Sequence, residues 1–254
     1  MKKTPLAALS LALVLAAAAF APALAAQEVT PVLSVLRGEA NFLTGYEPIN
    51  LDGTINAVVE IPAGTTAKYD TNVNTGMIEL EQKNGKPRFV QYLGYPCNYG
   101  HLPRSILLKS KGGDGDALDV CVLGMPAPTG SVVKARAIGV LTLLDNGEVD
   151  DKLIAVAQTG PFATVSSLTD LDRRFPGVTT ILQTWFTSYK GYGKDGKLQL
   201  SSPGFKGRAV AIKTVGDAIL DFEMSVATDD DKRPLDEKGN PQLYRWPGAR
   251  NIGE

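Results

Sequence analysis

The stretch 131-SVVKARAIGVLTLLD-145 decides how this chain is built. It is long, rich in β-branched residues, and runs into an acidic turn, 145-DNGEVDDK-152. Such a run reads as one extended strand. Shorter runs of the same character surround it: 56-NAVVEIP-62, 66-TAKYD-70, 77-MIELE-81 and 87-PRFVQY-92 before it, 117-ALDVCVLG-124 and 152-KLIAVA-157 on either side. Asn, Gly and Lys turns separate them. Many short strands with polar turns predict an antiparallel barrel or meander rather than alternating βαβ units.

The period changes in the last third. Val178, Ile181, Leu182, Trp185, Phe186 and Tyr189 recur at helical spacing between Pro176-Gly177 and Gly191. A second helix is expected from about Arg208 to Ala227, with Ile212, Val215, Ile219, Phe222 and Val226 on one face. The expected fold is mainly β with α: a small closed barrel with two C-terminal helices packed against it. Residues 26–254 read as a single domain, with 26–54 an N-terminal arm and 229–254 a polar, turn-rich tail.

The first residues read as a secretory signal peptide, 1–25. Lys2 and Lys3 form a basic start, residues 5–20 are almost wholly apolar, and Ala23-Leu24-Ala25 is a cleavage pattern. An uncleaved anchor is the alternative, disfavoured by the short run and the cleavage pattern. The expectation is an exported protein, periplasmic or secreted, with no membrane span in the mature chain. Two cysteines in 254 residues make no disulfide framework. Cys97 and Cys121 read as buried thiols, and a single bond between them stays open. With 44% hydrophobic and 21% charged residues the chain can bury a core. Its net charge of −1 gives no field to recruit nucleic acid.

The chemistry concentrates in 111-KGGDGDALDVCVLG-124, where Asp114, Asp116 and Asp119 fall within six residues. In extended backbone Asp114 and Asp116 project to one side, and a turn at Ala117-Leu118 brings Asp119 back beside them. Clustered oxygen ligands suit hard divalent cations. A solvated acidic turn is the plainer reading. Against it stand the adjoining apolar strand, the glycines that let backbone approach closely, and the second acidic cluster at 145–152. An EF-hand loop fails: counted from Asp114, positions 5, 6 and 12 are Leu118, Asp119 and Met125. Zinc is disfavoured by a single histidine and two distant cysteines. That histidine, His101, reads as a loop or surface residue. No G-x-x-x-x-G-K-[ST] phosphate loop is present.

Taken together these residues resemble a known family. The run D-G-D-A-L-D-V resembles the D-x-D-x-x-D signature of soluble family I inorganic pyrophosphatases. In chain order, 59-VEIP-62 resembles the strand carrying an active-site Glu, here Glu60. 68-KYD-70 resembles its Lys-Tyr-Glu, 88-RFV-90 carries the matching Arg88, and 95-YPCNYG-100 resembles its Tyr-Pro-x-Asn-Tyr-Gly. The segment 139–156 holds Asp145, Asp150 and Lys152 in register, and 189-YK-190 matches a Tyr-Lys pair. The resemblance spans about Asn56 to Gly191. Two positions depart from the pattern: Asp70 stands where the family has Glu, and Asn146 where an acidic residue is frequent.

The resemblance implies an OB-like barrel and hydrolysis of pyrophosphate with several Mg²⁺ ions per site, or other divalent metals. It implies that Asp114, Asp119 and Asp150 hold metals around the attacking water, with Asp119 bridging. Asp145 joins Asp150 for a further ion, and Glu60 and Asp70 belong to the metal side. Asp116 is implied as the general base. Lys68, Arg88, Lys152 and Lys190 would meet the phosphates, with Tyr99 and Tyr189 as hydroxyl donors. A homo-oligomer is also implied. A cation-binding module without turnover is the rival reading, but it would have no need of the four phosphate-facing cations.

Overall fold

The computed structural model describes residues 34–230, with side chains to residue 226. The expected signal segment, the first part of the arm and the tail from residue 231 lie outside the described residues. In chain order the strands are β1 (Val35–Leu36), β2 (Ile55–Ile61), β3 (Tyr69–Thr71), β4 (Ile78–Leu80), β5 (Gln82–Lys83), β6 (Lys86–Pro87) and β7 (Asn98–His101). They continue as β8 (Asp119–Leu123), β9 (Val132–Asp145), β10 (Glu148–Val149), β11 (Lys152–Ala157) and β12 (Leu200–Gly207). The helices are α1 (Leu168–Arg174), α2 (Val178–Ser188) and α3 (Arg208–Asp230).

β9 organises the fold, as its length demands. One edge pairs first with β2 and then with β12; the other pairs with β11 and then β10. The pairings run β9–β11–β8–β7–β2 and return to β9, so the ring of strands closes. The expected mainly-β barrel is therefore present, with its helices on the C-terminal side. Closure is helped by register shifts in the β2–β7, β11–β9 and β12–β9 pairings, because a bulge bends and twists its strand.

The barrel is not wholly antiparallel, as the strand pattern had suggested. β8 and β11 pair in parallel, Lys152 opposite Asp119 through Val156 opposite Leu123. The long β9 and its hairpin carry the chain away from β8 and back, so β11 enters beside β8 running the same way.

Strand alternation sorts the core. Cys121, Leu123, Ile138, Ile154 and Val156 pack with Leu182, Trp185 and Phe186 of α2. Val120, Val122, Leu153, Ala155 and Ala137 pack with Ala211, Val215 and Ala218 of α3. Strands covered on both faces read as nearly continuous apolar runs, which is why β8 and β11 were plain in the sequence. The buried face of α3 is set by small residues, so Ile212, expected on it, is exposed, as is Ile181 of α2.

Other expectations change. The run 87-PRFVQY-92 gives strand only at its first residue, plus one bridge from Phe89 to Ala67; Tyr92 is exposed. The run 66-TAKYD-70 becomes strand only at Tyr69 and Asp70. The arm is partly drawn into the core, with Phe42 and Leu43 buried and β1 paired to β4. α3 continues to Asp230, into the segment read as tail. α1 was not expected, although 167-SLTD-170 carries its cap: Ser167 Oγ accepts from Asp170 N at 3.1 Å. Cys97 and Cys121 are buried and free. Among the described residues no helix is long and apolar enough to cross a membrane.

Candidate active site

One cavity of about 370 Å³ is lined by all thirteen side chains nominated from the sequence. They arrive from two directions.

The acidic wall comes from β8, β9, β11 and the loop before β8. The parallel register of β8 and β11 sets Asp119 beside Lys152, and Lys152 Nζ donates to both Asp119 and Asp150. Lys152 is buried, so the two carboxylates supply what it would otherwise lack. Asp145 ends β9 and accepts from Lys190 Nζ. The loop holding Asp114 and Asp116 is tied to the second acidic segment: Val149 N donates to Gly112 O at 2.8 Å, and Gly113 bridges Val149. Gly115, at φ +89°, turns the chain between the two aspartates, and Asp116 N donates back to Asp114 Oδ1 at 3.0 Å. Lys111 donates to the buried Asp221 at 2.6 Å and so anchors the loop to α3.

The basic wall comes from the outlying strands and the end of α2. A backbone ladder joins Lys68, Glu81 and Arg88: Lys68 N to Arg88 O at 3.0 Å, Glu81 N to Lys68 O at 2.9 Å, Arg88 N to Glu81 O at 2.8 Å. Arg88 Nη1 donates to both oxygens of Glu81, at 2.7 and 2.8 Å, leaving Nη2 and Nε for another acceptor. Tyr189 caps α2 and stacks on Trp185, with centroids 4.6 Å apart. Trp185 in turn donates to Leu93 O at 3.2 Å. Tyr99, on β7, lies under both Lys68 and Lys152, each 5.8 Å from its ring centroid.

Burial pushes Asp70, Asp114 and Asp116 up to about 6 and Asp150 up to about 7, with neighbouring carboxylates adding to the rise. Asp119 goes the other way. Burial opposes its ionisation, but the charge of Lys152 and hydrogen bonds from Lys152 and Tyr99 outweigh that and hold it below the usual range. Burial likewise opposes charging of Lys152, Lys68 and Lys190, and facing acidic groups raise all three.

Nine carboxylates face five Lys and Arg side chains around this cavity, an excess of negative charge that calls for further cations. Among the described residues no three His, Cys, Asp or Glu side chains are arranged to hold an ion by themselves. Mg²⁺ takes few carboxylates from a protein and keeps waters or phosphate oxygens for the rest. The donor set is all oxygen, as a hard cation requires.

Five polar lining residues escaped the sequence reading: Thr71, Glu81, His101, Lys109 and Glu148. Glu148 lay in plain view in the second acidic cluster. Glu81 and His101 gave no signal, because only the fold brings them to the site. His101 is not a surface residue; it is buried on β7 and bonded to Glu60. Asn146 and Gly147 both have positive φ, 51° and 95°, as the tight β9–β10 turn needs, and Asn-Gly suits such a turn.

A family model described as inorganic pyrophosphatase matches residues 57–223. The chain is similar to the inorganic pyrophosphatase of Yarrowia lipolytica, 34% identical over 206 residues, covering 75% of this chain and 71% of that one. It is 32% identical to the mitochondrial inorganic pyrophosphatase of Saccharomyces cerevisiae, covering 62% of this chain and 58% of that one. With the inorganic pyrophosphatase of Drosophila melanogaster it is 38% identical, over 53% of this chain and 44% of that one, so it spans about half the length of these last two relatives. Among solved structures, the inorganic pyrophosphatase of Schistosoma japonicum aligns with a TM-score of 0.65 at 29% identity, covering 76% of this chain and 74% of that one. That of Neisseria gonorrhoeae aligns with a TM-score of 0.57 at 29% identity, over 71% and 96% of the two chains.

Proposed function

Because the chain belongs to the family I inorganic pyrophosphatases, we propose that it hydrolyses inorganic pyrophosphate to two phosphates with Mg²⁺. The observation that carries this is the meeting of the two walls: carboxylates in excess on one side, and Lys68, Arg88, Lys152 and Lys190 lining the same cavity. A cation-storage site would need the first wall only.

Asp114, Asp119, Asp145 and Asp150 would hold the metals, with Glu60 and Asp70 at the margin. Bound divalent ions would neutralise phosphate charge and lower the pKa of a water. Asp116 would take a proton from the attacking water as the water's oxygen attacks phosphorus. The bridging P–O bond then breaks and its electron pair leaves with the second phosphate. A carboxyl pushed up to about 6 is well matched to that task near neutral pH. Arg88 offers Nη2 and Nε to phosphate oxygens while Glu81 holds Nη1. Lys190 and Lys152, now on aspartates, are positioned to turn to phosphate once divalent cations neutralise those carboxylates. Tyr99 and Tyr189 supply hydroxyl donors.

Phosphate release from pyrophosphate and Mg²⁺ tests this, beside Asp116→Asn. The wild type is expected to turn over and the variant to lose about a hundredfold in kcat. No release with any of several divalent metals would sink the assignment; full activity in the variant would remove Asp116 from its role.

The same reading takes residues 1–25 as a signal segment lost on export and 26–254 as one domain that associates with copies of itself. Mass spectrometry of the protein secreted or in the periplasm is expected to start at Ala26. An intact N-terminus would refute the export reading.

A further inference from the structure

His101 is the one histidine of the chain, and its surroundings are restrictive. It is buried on β7 and lines the cavity. Its Nδ1 lies 3.0 Å from Glu60 Oε1, and its Nε2 lies 3.1 Å from the backbone carbonyl of Phe42. A carbonyl only accepts, so Nε2 carries the proton of the Phe42 contact, and one further proton is shared between Nδ1 and Glu60 Oε1.

Glu60 is equally constrained. It is the extra residue in the β2–β7 pairing: Val59 faces Gly100 and Ile61 faces Tyr99, so nothing on β7 opposes it. Gly100 permits this close approach, since a Cβ there would lie 1.8 Å from Val58 O. A bulge of this kind re-aims a side chain. Three donors then converge on one oxygen of Glu60: Thr71 N at 2.9 Å, Thr71 Oγ1 at 2.6 Å and His101 Nδ1. All fall on Oε1, which leaves Oε2 as the oxygen available to the cavity.

We propose that His101 is a positioning residue: held to the arm carbonyl of Phe42 through Nε2 and to Glu60 Oε1 through Nδ1, it clamps Glu60 with Oε2 presented to the metal side of the cavity. The clamp stands on geometry; its benefit to metal binding rests on the function proposed above. The arm carbonyl fixes the ring, the ring fixes Oε1, and Thr71 prevents the carboxylate from swinging back. Hydrogen-bond partners of metal-holding carboxylates commonly matter for affinity by about 10–100-fold.

With a single histidine, ring ¹⁵N–¹H NMR of the wild-type protein is unambiguous. The ring N–H facing the Phe42 carbonyl is expected at pH 7, slow to exchange with water. Its absence or rapid exchange would overturn the clamp, whatever the enzyme does. Calorimetric titration of Mg²⁺ alone supplies the second arm. His101→Phe is expected to weaken Mg²⁺ binding about tenfold, and His101→Gln, which keeps one N–H donor, to recover part of the loss. Unchanged Mg²⁺ affinity in a folded His101→Phe protein would overturn the link to the cavity. Should the wild type bind Mg²⁺ but fail to hydrolyse pyrophosphate, the functional assignment falls and the clamp is still judged by these two measurements.

Discussion

The acidic wall of the cavity hangs on the central strands of the barrel, whereas the basic wall hangs on its periphery. Asp119, Asp150 and Lys152 lie on or beside the parallel pair β8–β11, packed on both faces and locked in register. Lys68 and Arg88 lie on short outlying segments, and Lys190 lies just past the end of α2. One wall is held by the core itself; the other is held by a backbone ladder, one ion pair with Glu81 and a stack on Trp185. On the proposed function the acidic groups would keep a fixed spacing to hold metals, and the basic ones would follow a phosphate that enters and leaves. Rigidity is placed where repulsion between carboxylates has to be sustained.

The contrast breaks most sharply at Asp119. Asp119→Ala is expected to lower kcat/KM by about a thousandfold, on the scale of the several kcal/mol a bound metal supplies. It should weaken Mg²⁺ binding more than Asp116→Asn does; calorimetry giving the reverse order would reassign the two residues. On the other wall the effect should be smaller and of a different kind. Arg88→Lys keeps the charge but loses the fork, so KM for pyrophosphate should rise roughly tenfold with kcat little changed. A fall in kcat with KM constant would move Arg88 to the chemical step.

The smallest effect is on stability without metal. Burial raises Asp70, Asp114, Asp116 and Asp150 to about 6 or 7, against about 4 in the unfolded chain. Between those limits the folded protein binds more protons than the unfolded one, so stability falls as pH rises through the window. His101, held above its usual range chiefly by Glu60 against the pull of burial, acts in the same sense. In EDTA, Tm should therefore drop by several degrees from about pH 4.5 to 7.5, and Mg²⁺ should flatten that slope by favouring the ionised carboxylates. A Tm that climbs with pH in EDTA would mean that the acidic wall is not strained by its own charge.

Much of this site was legible in the sequence because its residues sit in local frames. Asp114, Asp116 and Asp119 share one loop, Asp145 and Asp150 flank one hairpin, and Tyr189-Lys190 follow one helix. Residues whose role depends on a neighbour remote in the chain were not legible. Glu81 meets Arg88 across a ladder, and His101 meets Glu60 across 41 positions and Phe42 across 59. His101 read as a surface residue because nothing in its own segment shows which strand it will face.

The amino-acid sequence by itself determined the strand-rich fold, the α2 and α3 helices, and most of the charged groups that line the cavity. Those follow from side-chain periodicity and from short-range spacing, which are properties of a few adjacent residues. Tertiary structure alone decided that β8 and β11 run parallel, so that Lys152 lies beside Asp119. It also decided that β2 bulges at Glu60, and that the arm returns to hold His101. Those depend on which distant backbones pair and in what register, and side-chain period along one strand carries no information about its partner.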